Sequence, residues 1–174
     1  MTDGTITLRR PTVADGTPVW RLVEACGALE RNTAYAYLLL CSHFAGTSVV
    51  AERDDGALVG FVAAYRPPTD PDALFVWQVG VHPDGRGQGL AKRMLAHLIE
   101  RTWPEGVRYL SATVTPDNGP SNALFTGFAR RYHAECALLP GFESEHFPDG
   151  HDPERLYRIG PLVPSPPETP TEVS

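Results

Sequence analysis

Residues Val79-Gly-Val-His-Pro-Asp-Gly-Arg-Gly-Gln-Gly-Leu-Ala91 carry the end of an apolar strand into a glycine-rich turn and then into a helix. Gly85, Gly87 and Gly89 let the main chain approach a ligand closely. The first amides of the helix have no partner within it and point at any anion placed there. Arg86 adds a charge-assisted donor. The stretch predicts a pyrophosphate site of glycine, backbone amide and arginine, although glycine spacing alone equally fits an ordinary strand-to-helix turn. It is no Walker A loop, since no Gly-Lys-Ser or Gly-Lys-Thr follows, and Leu90 stands where a dinucleotide-binding G-x-G-x-x-G needs its last glycine.

On its N-terminal side the stretch is fed by Leu74 to Val81, apolar almost throughout, which reads as a central strand covered on both faces. On its C-terminal side Leu90, Met94, Leu95 and Leu98 mark one face of a helix from about 89 to 100. Tyr109 to Val114 is the next strand, so strand, helix and strand form one crossover with the two strands parallel.

Further out, Ser48 to Arg53 and Ala57 to Arg66 flank Asp54-Asp55-Gly56 and predict an antiparallel hairpin. Thr5 to Arg9 suits a short edge strand. Pro18, Val19, Leu22, Val23 and Cys26 mark a helix that stops at Gly27, and Thr33 caps a second helix over 34–44. Downstream, Asn122 to Arg130 reads as a helix, and Cys136 to Leu139 and Arg155 to Ile159 as strands. One α/β domain over 1–160 is expected, followed by a tail, 161–174, in which five prolines and no apolar period predict an extended or disordered chain.

The 174 residues leave room for one domain of usual size plus that tail. A net charge of −6, from 15 basic and 21 acidic residues, disfavours nucleic acid as a partner, because phosphate-tracking grooves need clustered cations. Lys92 is the single lysine, so anion contacts fall to arginine and backbone. Cys26, Cys41 and Cys136 are odd in number, form no C-x-x-C pair and sit in apolar segments, which reads as buried thiols in a reducing, cytoplasmic setting. Neither a signal peptide nor a run of ~20 apolar residues is present, so no membrane partner is expected. His43 and His82 lack neighbours at metal-ligand spacing, and no metal is expected.

Arg86-Gly87-Gln88-Gly89-Leu90-Ala91 matches the R/Q-x-x-G-x-G/A signature of the GNAT N-acetyltransferases, and the order of elements from 5 to 160 resembles that fold as well. More narrowly, Ala34 to Cys41, Tyr65 to Pro71, Phe75 to Val81, Thr113 to Asn118 and Tyr157 to Pro161 resemble the L-2,4-diaminobutyrate acetyltransferases, the acetyl-CoA-dependent family of ectoine biosynthesis. The resemblance implies a mixed, mostly antiparallel sheet with helices on both faces, acetyl-CoA as cosubstrate, and a homodimer.

In residues, the resemblance implies that the main chain at Val79 and Val81 holds the pantetheine arm and that Arg86, Gly87, Gln88, Gly89, Leu90 and Ala91 hold the pyrophosphate. It implies that Asn118, Ser121 and Phe125 meet the pantetheine end; read alone, they are equally a turn asparagine, a helix-start serine and a core phenylalanine. A cationic amine cannot attack a thioester until it loses a proton, and with an amine pKa near ~10 the site must supply a base or a less polar setting. Trp77, Tyr35 and Tyr37 suit cation–π contact with the ammonium, and Glu30 offers a nearby carboxylate. The family usually has Asp at the position of Glu30. Arg66 is the candidate anchor for a substrate carboxylate.

His151 and Glu154 could share a face if their segment makes a turn, giving a base and a carboxylate to orient it. On residues alone a solvated polar loop is the better reading; the same His-x-x-Glu spacing in the family reverses it toward the catalytic one. Cys41 is imaginable as an acyl carrier but reads better as a core thiol beside Leu38, Leu39 and Leu40. The resemblance implies acetylation of the 4-amino group of a small diamine, L-2,4-diaminobutyrate. The alternatives are another acceptor, such as a polyamine, ornithine or lysine, and a non-catalytic acyl-CoA-binding module.

Overall fold

A computed structural model describes residues 5–27 and 29–164. Seven strands form one sheet: β1 (Ile6–Arg9), β2 (Val49–Arg53), β3 (Leu58–Tyr65), β4 (Ala73–Val81), β5 (Tyr109–Val114), β6 (Cys136–Phe142) and β7 (Glu154–Ile159). The helices are α1 (Gly16–Cys26), α2 (Ala34–His43), α3 (Leu90–Thr102) and α4 (Gly119–Arg131). The strand order is β1-β2-β3-β4-β5-β7-β6, with β4 and β5 parallel and every other neighbouring pair antiparallel. This is the mixed sheet that the sequence pattern predicts.

Strand alternation distributes the core over two faces. Val49, Ala51, Val62 and Ala64 face α3 and α4, joining Leu90, Met94, Leu98, Phe125 and Phe128. Val50, Phe61 and Ala63, the intervening residues, face α1 and α2 and pack on Val19, Val23, Tyr37 and Cys41. The β2–β3 hairpin turns at Asp54 to Gly56, where the Gly56 amide donates to the Arg53 carbonyl at 2.8 Å.

Three boundaries differ from the expected ones, the first being β6, which runs to Phe142 rather than Leu139 because its pairing with β7 continues past Pro140. α4 begins at Gly119 rather than Asn122, because Pro120 sits in the first turn, where no amide is needed. The domain also runs past residue 160: Leu162 is fully buried, and its amide donates to the Arg108 carbonyl at 2.7 Å. The rest of the expected tail, 165–174, lies outside the described residues.

β1 is joined to the start of α1 by a half-buried ion pair. Arg9 Nη1 and Nη2 donate to the two Asp15 oxygens at 2.8 Å each, and the Thr12 amide donates to Asp15 Oδ2 at 2.7 Å. These bonds from Arg9 hold the Asp15 carboxyl below the usual carboxylate range. The stabilisation is therefore present above the unfolded-state value near ~3.9 and is lost as pH falls through the lower folded-state value. Asp15→Asn should cost about 1–3 kcal/mol near neutral pH in urea unfolding, and the gap to wild type should close in acid.

Candidate active site

β4 and β5 pair only from Ala73–Phe75 with Tyr109–Ser111. Beyond Phe75 the two strands separate, and between them opens a cleft of about 640 Å³. Its walls are β4 from Phe75 to Val79, β5 from Ala112 to Val114, the start of α4, the α1–α2 connection and the β6–β7 connection. Strand separation leaves the β5-facing amides and carbonyls of β4 without a strand partner, a surface onto which an extended ligand can add.

β4 is bulged at Trp77: Ala63 pairs with Gln78 but Ala64 pairs with Val76. The extra residue reverses the alternation, so Leu74 and Val76 and then Val79 and Val81 face the α3–α4 core. Trp77 is turned into the cleft, and Gln78 is buried toward α1 and α2. Without the bulge Gln78 would stand on the apolar α3–α4 face. The only sequence signal for it is a lone polar residue inside an apolar strand.

On the acceptor side, Trp77, Glu30 and Asn32 line the cleft. The two tyrosines do not. Residues two apart on a helix are roughly 200° apart around its axis, so at most one can face inward. Tyr37 is fully buried behind the cleft, its ring 6.4 Å from that of Trp77, whereas Tyr35 is 67% exposed. Arg66 is also displaced from its expected role. Its Nε donates to the Pro71 carbonyl at 2.8 Å, satisfying a proline-rich loop that has few amides of its own. Among the described residues no arginine or lysine lines the cleft, and its side-chain charges are the carboxylates of Glu30 and Glu154 and the titratable His151.

His151 and Glu154 both line the cleft, but not as an imidazole oriented by a carboxylate. The segment leaves a short 3-10 turn at Gly150, and His151 is extended (ψ 140°) rather than helical. Its ring stacks on Phe147 at 4.1 Å, and its Nδ1 lies 2.6 Å from the Asp152 carbonyl, an acceptor that places a proton on Nδ1 and leaves Nε2 to accept. The Glu154 carboxylate forms no ion pair or side-chain hydrogen bond among the described residues. The backbone at Glu154 depends on Gly141, a second bulge: Pro140 pairs with Arg155 and Phe142 with Glu154. A Cβ at Gly141 would lie 2.3 Å from the Glu154 carbonyl oxygen. The signal for this residue was a glycine after a proline inside a strand pattern.

On the cofactor side, Val79, Asn118, Ser121 and Phe125 line the same cleft. Asn118 caps α4 by accepting from the Ser121 amide at 3.1 Å, and Phe125 both packs on Tyr157 at 5.7 Å and reaches the cleft wall. Asn122, which sequence reasoning passed over, joins these parts: it accepts from the Tyr157 hydroxyl at 2.7 Å and donates to the Thr115 and Pro116 carbonyls.

In the glycine-rich turn Gly87 (φ 79°) and Gly89 (φ 66°) adopt the left-handed conformation, with open space where a Cβ would stand. This uncovered face above the α3 amides fits a pyrophosphate. The side-chain expectation for Arg86 is corrected. Its Nη2 donates to the Cys26 carbonyl at 2.9 Å and its Nε to the Val81 carbonyl at 3.3 Å, so the guanidinium caps the end of α1. That bond also engages the Val81 carbonyl, and Leu90 is a core residue that offers only its amide. Gln88 and Ala91 stay with the turn and the first turn of α3.

Cys41 lies outside the cleft, and burial pushes its thiol up to about 11, as fits a core thiol rather than an acyl carrier. At about pH 8, iodoacetamide should leave Cys41 unmodified in the native protein and alkylate it once urea unfolds the chain, as read by mass spectrometry. No cluster of three metal-ligating side chains occurs among the described residues.

The acetyltransferase (GNAT) family model matches residues 17–128, the span from α1 through the glycine-rich turn to Phe128 of α4. An L-2,4-diaminobutyric acid acetyltransferase of Halalkalibacterium halodurans is 46% identical over 163 residues, 93% of this chain and 85% of that protein. The chain belongs to the GNAT acetyltransferases, in the L-2,4-diaminobutyric acid acetyltransferase family. A second member, from Nocardia farcinica, is 46% identical over 92% of this chain and 82% of its own. The solved diaminobutyrate acetyltransferase of Paenibacillus lautus, in complex with L-2,4-diaminobutyric acid and coenzyme A, superposes with a TM-score of 0.85 at 41% identity, covering 92% of this chain and 97% of that one.

Proposed function

We propose that this chain transfers the acetyl group of acetyl-CoA to the 4-amino group of L-2,4-diaminobutyrate, forming N4-acetyl-L-2,4-diaminobutyrate for ectoine biosynthesis. The observation that carries the reading is a single cleft in which the free edge of β4 meets two carboxylates and Trp77, with no arginine or lysine on its walls among the described residues. Such a lining attracts a diamine and leaves a thioester-bearing arm to run along β4. The matches to diaminobutyrate acetyltransferases support this acceptor over other amines.

When bound, acetyl-CoA supplies an activated acyl group. The chain's own residues do the rest. Gly87 to Ala91 bind the pyrophosphate through backbone amides, and the β4 main chain near Val79 aligns the arm and stabilises oxyanion charge. Trp77 and Glu30 hold the diamine. Glu154 accepts the proton from the 4-ammonium, directly or through water; the neutral amine then attacks the thioester carbonyl, the C–S bond breaks as the C–N bond forms, and the departing thiolate takes up the second proton that the nitrogen sheds. His151, oriented by Phe147 and Asp152, flanks that path.

Free buried thiols at Cys26 and Cys41, and the lack of any membrane-spanning helix among the described residues, support a cytoplasmic setting. Exposed Leu138, Leu139 and Phe142 on the edge strand β6 support a homodimer, which sedimentation would register as twice the chain mass.

The test is thiol release from acetyl-CoA with L-2,4-diaminobutyrate, ornithine, lysine and a polyamine as acceptors. Diaminobutyrate should give the highest kcat/KM. Higher turnover with another acceptor would reject the substrate assignment, and stabilisation by CoA with no product from any amine would reject catalysis.

A further inference from the structure

Gln78 is a buried polar residue whose two side-chain hydrogen bonds tie β4 to Tyr37 of α2 and to the α1–α2 connection at Glu30. The Asn32 amide donates to the Tyr37 hydroxyl at 3.4 Å, and that hydroxyl donates to Gln78 Oε1 at 3.0 Å. Gln78 Nε2 donates to the Glu30 carbonyl at 2.9 Å. Residues 30–32 are thus held at both ends, and Trp20 Nε1 adds a third tie to the Asn32 carbonyl at 3.1 Å. Glu30, Asn32 and the edge of Gln78 line the cleft, whereas Tyr37 is fully buried and cannot touch a ligand there, so Tyr37→Phe acts only through the hydrogen-bonded chain.

A buried amide and hydroxyl would cost stability if left unpaired, and a leucine and phenylalanine would fill the same space without that risk. What the polar pair adds is direction. The bulge at Trp77 turns Gln78 toward α2, and Gln78 then sets the distance between the β4 wall and the main chain carrying the Glu30 side chain. Glu30 stands on the α1–α2 connection and Glu154 at the first position of the paired strand β7, so this distance bears on the spacing between the two carboxylates of the cleft.

We propose that Gln78 and Tyr37 are positioning residues that fix Glu30 and thereby select the diamine by the separation of its two nitrogens. The inference rests on the acetyl-transfer reading above. It makes the clamp, rather than the identity of the carboxylates alone, the determinant of acceptor length.

The experiment compares Tyr37→Phe, which removes only the hydroxyl, Gln78→Met, which removes both amide bonds at similar volume, and Gln78→Glu, which keeps an acceptor for Tyr37 and loses the donor to Glu30. For each, KM is measured separately for acetyl-CoA and for diaminobutyrate, with kcat/KM for ornithine, one methylene longer, alongside. A displaced Glu30 should raise KM for diaminobutyrate by about tenfold or more and lower the diaminobutyrate-to-ornithine preference by a similar factor, with KM for acetyl-CoA within about twofold. A merely structural role would lower thermal stability and depress turnover of both acceptors equally, leaving the preference unchanged. That result, or wild-type KM values in all three variants, overturns the inference. If the wild-type protein acetylates some other amine instead, the functional reading fails, and the same split between amine and acetyl-CoA, read on that amine, still decides the clamp.

Discussion

Glu154→Gln should lower kcat/KM for diaminobutyrate by roughly 10²- to 10⁴-fold, the range associated with losing a general base, while the thermal stabilisation by CoA stays as in wild type. Glu154 lines the cleft without a competing hydrogen bond or ion pair among the described residues, so its carboxylate is available to an incoming ammonium. Glutamine keeps the shape and removes the proton acceptor. The pH dependence separates this role from a structural one. An amine with a pKa near ~10 gains about 100-fold in its neutral fraction between pH 7 and pH 9. The variant, relying on amine that is already neutral, should recover with a slope near ~1 in log kcat/KM against pH, and wild type should rise less steeply. A Glu154→Gln enzyme retaining more than about a tenth of wild-type kcat/KM would move the base to His151, whose own replacement should then show the larger loss.

Gly141→Ala should damage stability and activity together. The new methyl would stand 2.3 Å from the Glu154 carbonyl oxygen and 3.1 Å from both the Glu154 carbonyl carbon and the Leu156 amide nitrogen. These are backbone atoms of a paired strand and cannot rotate away, so β6 and β7 must separate or slip at the bulge. Such crowding costs about 1–3 kcal/mol, seen in urea unfolding. The same shift moves the Glu154 main chain, and a displacement near 1 Å at a reacting group costs up to about 10²-fold in rate. Val163→Ala, outside the sheet and 69% exposed, serves as the control and should change stability by no more than about 0.5 kcal/mol. Equal effects of the two substitutions would remove the link between the bulge and the site.

Period-two and helical spacing in the chain located all seven strands and four helices within a few residues, because burial on two faces leaves its mark locally. The boundaries moved at α4 because proline is tolerated at a helix start, at β6 because pairing with β7 carries the strand past Pro140, and at the domain end because Leu162 is buried by a contact with Arg108 that no local pattern encodes. At the site, Val79, Trp77, Glu30, His151 and Glu154 were legible from residue type and family pattern, and the cleft holds them all. Tyr37 and Arg86 were legible as residues but not as roles. An aromatic or a guanidinium reads as a ligand contact until the fold shows that it is committed to Gln78 in one case and to the Cys26 carbonyl in the other.

The sequence by itself determined the order of strands and helices, the glycine-rich turn at 85–89 and the acyl-CoA family, since each depends on spacing within one continuous stretch. Only the tertiary structure decided which of those residues face one another. The bulge at Trp77 reverses the side-chain alternation of β4, the bulge at Gly141 sets the backbone at Glu154, and the parting of β4 from β5 opens the cleft. Each of these is a relation between strands distant in the chain, and a one-residue shift in such a pairing changes which face a side chain occupies without changing the composition of either strand.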